Sequence, residues 1–397
     1  MIKMAVLGFG NIGSGLVQLV TENADIIEKD LGCKLDIKYI VDLRDFKGHP
    51  LENKMVKDFN IVLSDPEVSI VAEMIGGSHP AFEYSLAALK AGKCVVTSNK
   101  EVVANFGEVL LQTAKENKTA YLFEAAVGGA IPIIRPMRES LSSDVISEIN
   151  GILNGTTNFI LTKMISEGMS FDDALQLSRD LGYAEANPSA DVDGIDSCRK
   201  IAILSALAYK TVFPCDKIST QGIRQISKRD AEDAAEISCA IKLIAHTKKM
   251  DDGKILINVA PRFTELDSPL FAVNDVFNGI LVSAKASGDI MFYGRGAGKI
   301  PTAGAVLADI AEIAKHMSCG QIPPVLWKRD DGEGLYDSKL EITRFYCRVK
   351  GDKIPENASV VSRKDGQSSF VTPVMDEYQL NEMLKNFEIV SEIRFMK

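Results

Sequence analysis

Gly8, Gly10 and Gly13 form a Gly-x-Gly-x-x-Gly pattern directly behind a short apolar run, IKMAVL at 2–7. Helix-compatible sequence, NIGSGLVQLVTEN, follows at once. The first glycine permits a tight turn, and the second lets a pyrophosphate approach the backbone. The third lets strand and helix pack closely, leaving the helix N-terminus to face an anion. A tight turn with no ligand is the competing reading. Strand, turn and helix occur here in the right order, which favours a dinucleotide held by Gly8, Gly10, Asn11, Ile12 and Gly13.

The rhythm that follows suits this start. Apolar strands are expected at 34–42, 69–77, 94–100 and 119–129, alternating with helices at 80–92 and 101–117. Such alternation implies a parallel, doubly wound Rossmann-type sheet. Asp42 ends the second strand and suits a ribose 2′-hydroxyl, whereas Arg44, two residues on, suits a 2′-phosphate. NAD and NADP are therefore both open.

Beyond residue 130 the pattern changes. A strand is expected at 147–155, then a helical block through about 250, then three β-rich stretches, then a small-residue helix at 302–317. The stretch 320–334 reads as a linker, and the last sixty or so residues as a small β-rich unit with one helix. The expected fold class is α/β. A dinucleotide-binding domain spans 1–130, completed by a helix at about 301–318. A central α+β catalytic and dimerisation domain spans 131–300, and a C-terminal module spans 335–397.

Composition excludes several classes. With 46% apolar and 25% charged residues, the 397-residue chain has material for a substantial core. A net charge of -9 gives no basic footprint for nucleic acid and no polybasic membrane patch. No apolar run is long enough to span a bilayer, and the first residues enter a strand rather than a signal peptide. The seven cysteines form no CxxC pair, which disfavours zinc and points to reduced thiols in a cytoplasmic protein.

The segment DVDGIDSCRKIAILSALAY, 191–209, poses a physical problem. Its second half is almost continuously apolar, yet its first half carries Asp191, Asp193, Asp196, Arg199 and Lys200. With a helix starting at Ile195, Asp196 and Lys200 share one face. A surface ion pair at a helix start is the bland reading, but the apolar continuation requires that face to be covered. Glu185 stands just upstream in GYAEANPSAD, and NGTTN at 154–158 reads by itself as a capping turn with Thr156 or Thr157 as N-cap.

The segment GYAEANPSADVDGIDSCRK resembles the signature of homoserine dehydrogenases, with Ser178 where an alanine is usual. GFGNIG, TSNKEVVA, EAAVGGAIPII and NGTTNFIL are similar to that family's other motifs and follow in order. The resemblance, over about residues 1–320, implies NAD(P)-dependent interconversion of L-aspartate 4-semialdehyde and L-homoserine, within threonine and methionine biosynthesis. It implies that Lys200 is catalytic, with Lys100 a second lysine beside the nicotinamide and Ser98 at the cofactor. Glu185, Asp191 and Asp196 would hold substrate and Lys200, and Gly155, Thr156 and Gly182 would line the pocket. Glu124, with main-chain oxygens of Val127, Gly129 and Ile131, resembles a structural monovalent-cation (Na+) site. The C-terminal module resembles a truncated ACT domain, suited to contact within a homodimer or higher homo-oligomer.

The chemistry suits these residues. Hydride delivery to an aldehyde builds negative charge on oxygen, and a lysine ammonium stabilises it and donates the proton. Two rivals stand beside this reading: another Rossmann-type amino-acid or aldehyde dehydrogenase, and a non-catalytic NAD(P)-binding sensor. Glu185 speaks against a simple hydroxy-acid enzyme, and the retention of Lys100 and Lys200 speaks against a sensor.

Overall fold

The computed structural model describes residues 1–319, 322 and 325–396. The chain divides into two compact units, Met1–Ser143 with Ala206–Val212 and Arg295–Arg329, and Asp144–Ser205 with Phe213–Gly294 and Asp330 onward. The fold is mixed α/β.

In the first unit, β1 (Ile2–Leu7), β2 (Leu35–Val41), β3 (Met55–Val56), β4 (Val68–Glu73), β5 (Cys94–Thr97) and β6 (Tyr121–Leu122) form one sheet, ordered β3-β2-β1-β4-β5-β6. All its pairings are parallel. Met4 to Leu7 are fully buried, as strands covered on both faces must be. The order reverses direction beside β1, so the carboxyl ends of β1 and β4 flank a crevice of the kind that receives ligands. Helix Lys299–Cys319 packs on helix Asn11–Glu22, joining Ala303, Val306, Ile310 and Ile313 to the core of Leu16, Val17 and Val20. Gly15 allows the approach, because a Cβ there would stand 3.1 Å from the Lys299 carbonyl oxygen.

The strand expected at 119–129 is cut to Tyr121–Leu122, and a 3-10 turn follows at Glu124–Ala126. There the Glu124 amide is satisfied by a buried acid, Asp309, at 2.8 Å rather than by a neighbouring strand. Of the linker expected at 320–334, residues 320, 321, 323 and 324 lie outside the described residues. Beyond them Trp327 is buried against Gly107, where a Cβ would meet the indole at 2.5 Å. Lys328–Arg329 then pairs with Thr211–Val212, so this part is packed rather than loose.

The second unit is built on a long sheet. Its strands are β7 (Ile146–Ile152), β9 (Ser219–Thr220), β10 (Cys239–Lys249), β11 (Ile255–Glu265), β12 (Phe277–Ala284) and β13 (Gly288–Arg295), while β8 (Thr211–Val212) and β14 (Lys328–Arg329) form a separate pair within the first unit. Next come β15 (Phe345–Lys350), β16 (Ser359–Lys364), β17 (Gln367–Val371) and β18 (Ile389–Phe395), giving the order β13-β12-β7-β10-β11-β18-β15-β17-β16. The helical block expected through about 250 is therefore wrong at its end. Cys239–Lys249 is an eleven-residue strand paired along its length with β11 and partly with β7. Buried on both faces, it reads as an apolar run whose period does not distinguish helix from strand.

The C-terminal strands continue this sheet. β18 joins β11 in parallel through Arg262↔Arg394 and Phe263↔Phe395, and helix Glu377–Leu384 covers a core of Phe345, Cys347, Val349, Phe370, Leu380 and Leu384. A buried ion pair ties the junction: Arg262 Nη1 and Nη2 donate to the two Glu341 oxygens at 2.8 Å, and Nη2 also donates to Asn258 Oδ1 at 2.8 Å. Burial pushes the Glu341 carboxyl up, but Arg262, His246 and Arg394 outweigh it and hold the group at about 2.

Removing one partner of such a pair strands the other charge, so Glu341→Gln should lose about 3 kcal/mol in denaturant unfolding. Because the folded pKa lies below the ordinary 4.5, the stabilisation is present above pH 4.5 and is lost as pH falls towards about 2. In an acid titration of stability, the wild type should lose its advantage over Glu341→Gln across that interval.

Candidate active site

The glycine turn is built by contact. Gly8 adopts a positive φ of 89°, and a Cβ on Gly13 would lie 2.0 Å from the Gly8 carbonyl oxygen. No other residue fits either place. Gly10 has open space where its Cβ would be and caps helix Asn11–Glu22 without a side-chain bond. The first turn of that helix holds no acidic residue, so its amide end favours an anion. The turn thus fits a dinucleotide pyrophosphate.

At the end of β2, Asp42 and Arg44 do not stand as alternatives. Arg44 donates to both Asp42 oxygens, at 2.9 and 2.8 Å, and to the Phe9 carbonyl at 2.9 Å. Asp42 also receives the Phe9 amide at 2.8 Å, which ties the acid to the glycine turn. The Arg44 guanidinium holds the Asp42 carboxyl well below the usual carboxylate range. Arg44 itself is 61% exposed and stacks 5.2 Å from the Phe46 ring centre.

Ser98 and Lys100 sit in the turn from β5 into helix Lys100–Glu116. Asn99 caps that helix, accepting from the Val102 amide at 3.1 Å. His79 lies just before helix Ala81–Lys90, where its ring pairs with Glu83 at 2.5 Å.

In the second unit the charged residues of 191–200 converge. Helix Ile195–Tyr209 begins after Gly194, which has a φ of 82°. Lys200 is only 7% exposed, and Nζ donates to Asp196 Oδ2 at 2.7 Å and to the Leu153 carbonyl at 2.6 Å. Asn154 closes the group: Nδ2 donates to Asp191 at 2.7 Å and Asp196 at 2.9 Å. A buried ammonium is thus met by a carboxylate and a carbonyl, and the carboxylate by an amide.

The capping residue of helix Gly155–Ser166 is Asn154, not Thr156 or Thr157. Its backbone is extended, and its Oδ1 accepts from the Thr157 amide at 2.9 Å. The Thr157 hydroxyl is already inside the helix and points back to the Asn154 carbonyl. Thr156 instead donates to the Tyr183 carbonyl at 2.9 Å, next to Gly182. Gly155 is forced, since a Cβ would meet the Val276 carbonyl at 2.7 Å. Glu185 is exposed in the same loop as Gly182. Asn154 and the Leu153 carbonyl escaped sequence reasoning as members of the lysine cluster. NG at the end of a strand was the available signal, but it named a cap and not the charges that cap would hold.

Glu124 is buried, as are Val127, Gly129 and Ile131. Its carboxylate accepts three main-chain amides, from Ile133, Ile134 and Arg135, at 2.7, 2.9 and 2.7 Å. Burial pushes its carboxyl up against these bonds. Among the described residues, no group of three or more His, Cys, Asp or Glu side chains is arranged for a metal. None of the described helices is long and apolar enough to cross a membrane.

Comparison with known proteins gives a consistent result. Residues 8–124 match the family described as homoserine dehydrogenase, NAD binding domain, and residues 132–311 match the homoserine dehydrogenase family. The chain is 39% identical over 322 residues to the homoserine dehydrogenase of Bacillus subtilis, covering 80% of this chain and 74% of that one. It is 41% identical over 327 residues to that of Lactococcus lactis, covering 81% and 76%. The crystal structure of the homoserine dehydrogenase from Thiobacillus denitrificans superposes with a TM-score of 0.90 at 30% identity, covering 100% of this chain and 98% of that one. A hyperthermophilic archaeal homoserine dehydrogenase, solved in complex with NADPH, superposes at 0.68 and 30% identity, covering 82% and 99%. With a glycine turn fit for a dinucleotide, a buried lysine held by a carboxylate and a main-chain carbonyl, and these relatives, the chain belongs to the homoserine dehydrogenase family.

Proposed function

We propose that this chain interconverts L-aspartate 4-semialdehyde and L-homoserine with NAD(H) or NADP(H), using Lys200 as the proton-handling residue. The observation that carries the proposal is the buried Lys200–Asp196–Asn154 cluster with the Leu153 carbonyl. The dinucleotide, when bound, supplies or takes the hydride. Lys200 Nζ meets the substrate oxygen, stabilises its charge and gives up a proton to it on reduction. Asp196 orients Nζ, Asp191 adds a second carboxylate beside it, and the Asn154 amide holds both acids. Glu185 takes the substrate amino group, while Gly155, Thr156 and Gly182 line the pocket. In the other half, Gly8, Gly10, Asn11, Ile12 and Gly13 receive the pyrophosphate, with Ser98 and Lys100 at the nicotinamide.

Asp42 and Arg44 set the cofactor preference together. Asp42 presents acceptors to a 2′-hydroxyl, and the exposed Arg44 presents donors to a 2′-phosphate. We extend the reading to a structural Na+ at Glu124 and the main-chain oxygens of Val127, Gly129 and Ile131, supported by the burial of the Glu124 carboxylate. The C-terminal strands are read as an ACT-like module for homo-oligomer contact, supported by exposed Val360, Val374, Tyr378 and Ile389.

Absorbance of the reduced nicotinamide with L-homoserine tests the reaction, and no turnover with either dinucleotide would sink it. Lys200→Ala should keep dinucleotide binding and lose at least about a hundredfold in kcat. Asn154→Ala should lose about 1 kcal/mol of stability from the cap and, separately, about tenfold in kcat as Asp196 loosens. A kcat unchanged in an Asn154→Ala protein of lowered Tm would make Asn154 a cap and nothing more. Arg44→Ala should raise KM for NADPH about tenfold while leaving KM for NADH nearly unchanged.

A further inference from the structure

Glu73 ends β4 at the ligand-facing edge of the first sheet and is fully buried. The groups bonded to its carboxylate are neutral. Oε1 accepts the Ile75 amide and Oε2 the Thr97 hydroxyl, each at 2.6 Å. The Thr97 oxygen in turn accepts the Asn99 amide at 2.9 Å. Asn99 spreads the connection: Nδ2 donates to the carbonyls of Ile75 at 2.8 Å and Gly77 at 2.7 Å, while Oδ1 caps helix Lys100–Glu116. The residue after Glu73 touches the glycine turn, because the Met74 carbonyl lies 3.0 Å from where a Gly8 Cβ would be. One carboxylate thus joins the turn at 75–77, the turn at 97–100 and the floor of the glycine loop.

This placement is expensive. A buried carboxylate with no cation on it is disfavoured by desolvation, and a neutral side chain would fill the space at lower cost. Such groups gather at functional sites. We propose that Glu73 is a positioning residue for hydride transfer, fixing the Ile75–Gly77 and Thr97–Lys100 turns and so presenting Ser98 and Lys100 to the dinucleotide. The proposal rests on the assignment of Ser98 and Lys100 to the cofactor.

Ionised Glu73 keeps both donors aimed at it, in a chain running from the Asn99 amide through the Thr97 hydroxyl to Oε2. A proton on Oε2 reverses that last bond, and Thr97 then has to accept from both sides. Burial raises the Glu73 carboxyl to about 7, so the reversal falls near neutrality. Tyr121 on β6 is the titratable side chain that feels the Glu73 charge, and its buried hydroxyl has no hydrogen-bond partner. Helix Lys100–Glu116 begins with Lys100 and Glu101, the latter engaged by the Ser78 hydroxyl at 2.7 Å. β1 and β5 bring Leu7 and Thr97 beside Glu73, neither of them charged.

The test is dinucleotide affinity, by fluorescence titration with NADH and NADPH, together with steady-state kinetics on both sides of neutrality. Wild type should lose affinity as pH falls through about 7. Glu73→Gln should weaken the better dinucleotide about tenfold, leave KM for the amino-acid substrate unchanged, and flatten that pH dependence. Thr97→Val should reproduce the loss, and Thr97→Ser should restore affinity, which decides the matter if Glu73→Gln does not fold. Affinity and pH profiles of Glu73→Gln that superpose on the wild type would overturn the proposal. So would equal losses in Thr97→Val and Thr97→Ser. A wild type that binds dinucleotide with the expected pH dependence but turns nothing over would fault the proposed reaction and leave the role of Glu73 in binding standing.

Discussion

A lysine ammonium cannot be buried without acceptors, and Lys200 organises its half of the protein around that rule. Two acceptors come from separate places, Asp196 one helical turn back and the Leu153 carbonyl just past β7, and Asn154 braces Asp196 from the cap of the next helix. Each of these needs its own support. Asn154 has to cap helix Gly155–Ser166, and Gly155 has to let the Val276 backbone approach. The apolar turns Ile201 to Leu207 then anchor the charged end in the core.

The cofactor half obeys a different constraint, which is the distance between backbones. Gly13 packs on the Gly8 carbonyl so closely that a methyl group is excluded, and Gly8 takes a conformation open to glycine. Around this rigid turn the acids are placed by hydrogen bonds rather than by cations alone. Asp42 is fixed by the Phe9 amide as well as by Arg44, and Glu73 by an amide and a hydroxyl. Both carboxylates therefore tie together loops at the carboxyl edge of the sheet.

The central sheet uses buried charge for connection. Arg262 and Glu341 lie where the C-terminal strands meet β11, and their pairing joins segments nearly eighty residues apart in the chain. Beside this pair, β18 runs along β11, so the strands of the last sixty residues continue the large sheet. Its own core of Phe345, Phe370, Leu380 and Leu384 would be thin by itself.

Much was legible in the residues alone. The three glycines, the alternation up to residue 122 and the i,i+4 spacing of Asp196 and Lys200 are local, and local geometry settled them. The strand at Cys239–Lys249 was not legible, because burial on both faces erases the period that tells strand from helix. Nor was the part played by Asn154, whose cap is local but whose charged partners lie about forty residues away. Asp42 and Arg44 looked like rivals and became a single pair only once β2 ran beside the glycine turn. Sequence by itself determined where the glycine turn and the Asp196–Lys200 spacing lie, since these depend on residue type and short spacing. Tertiary structure alone decided which of them are buried, paired and held, because desolvation and hydrogen bonding depend on neighbours that the chain order does not reveal.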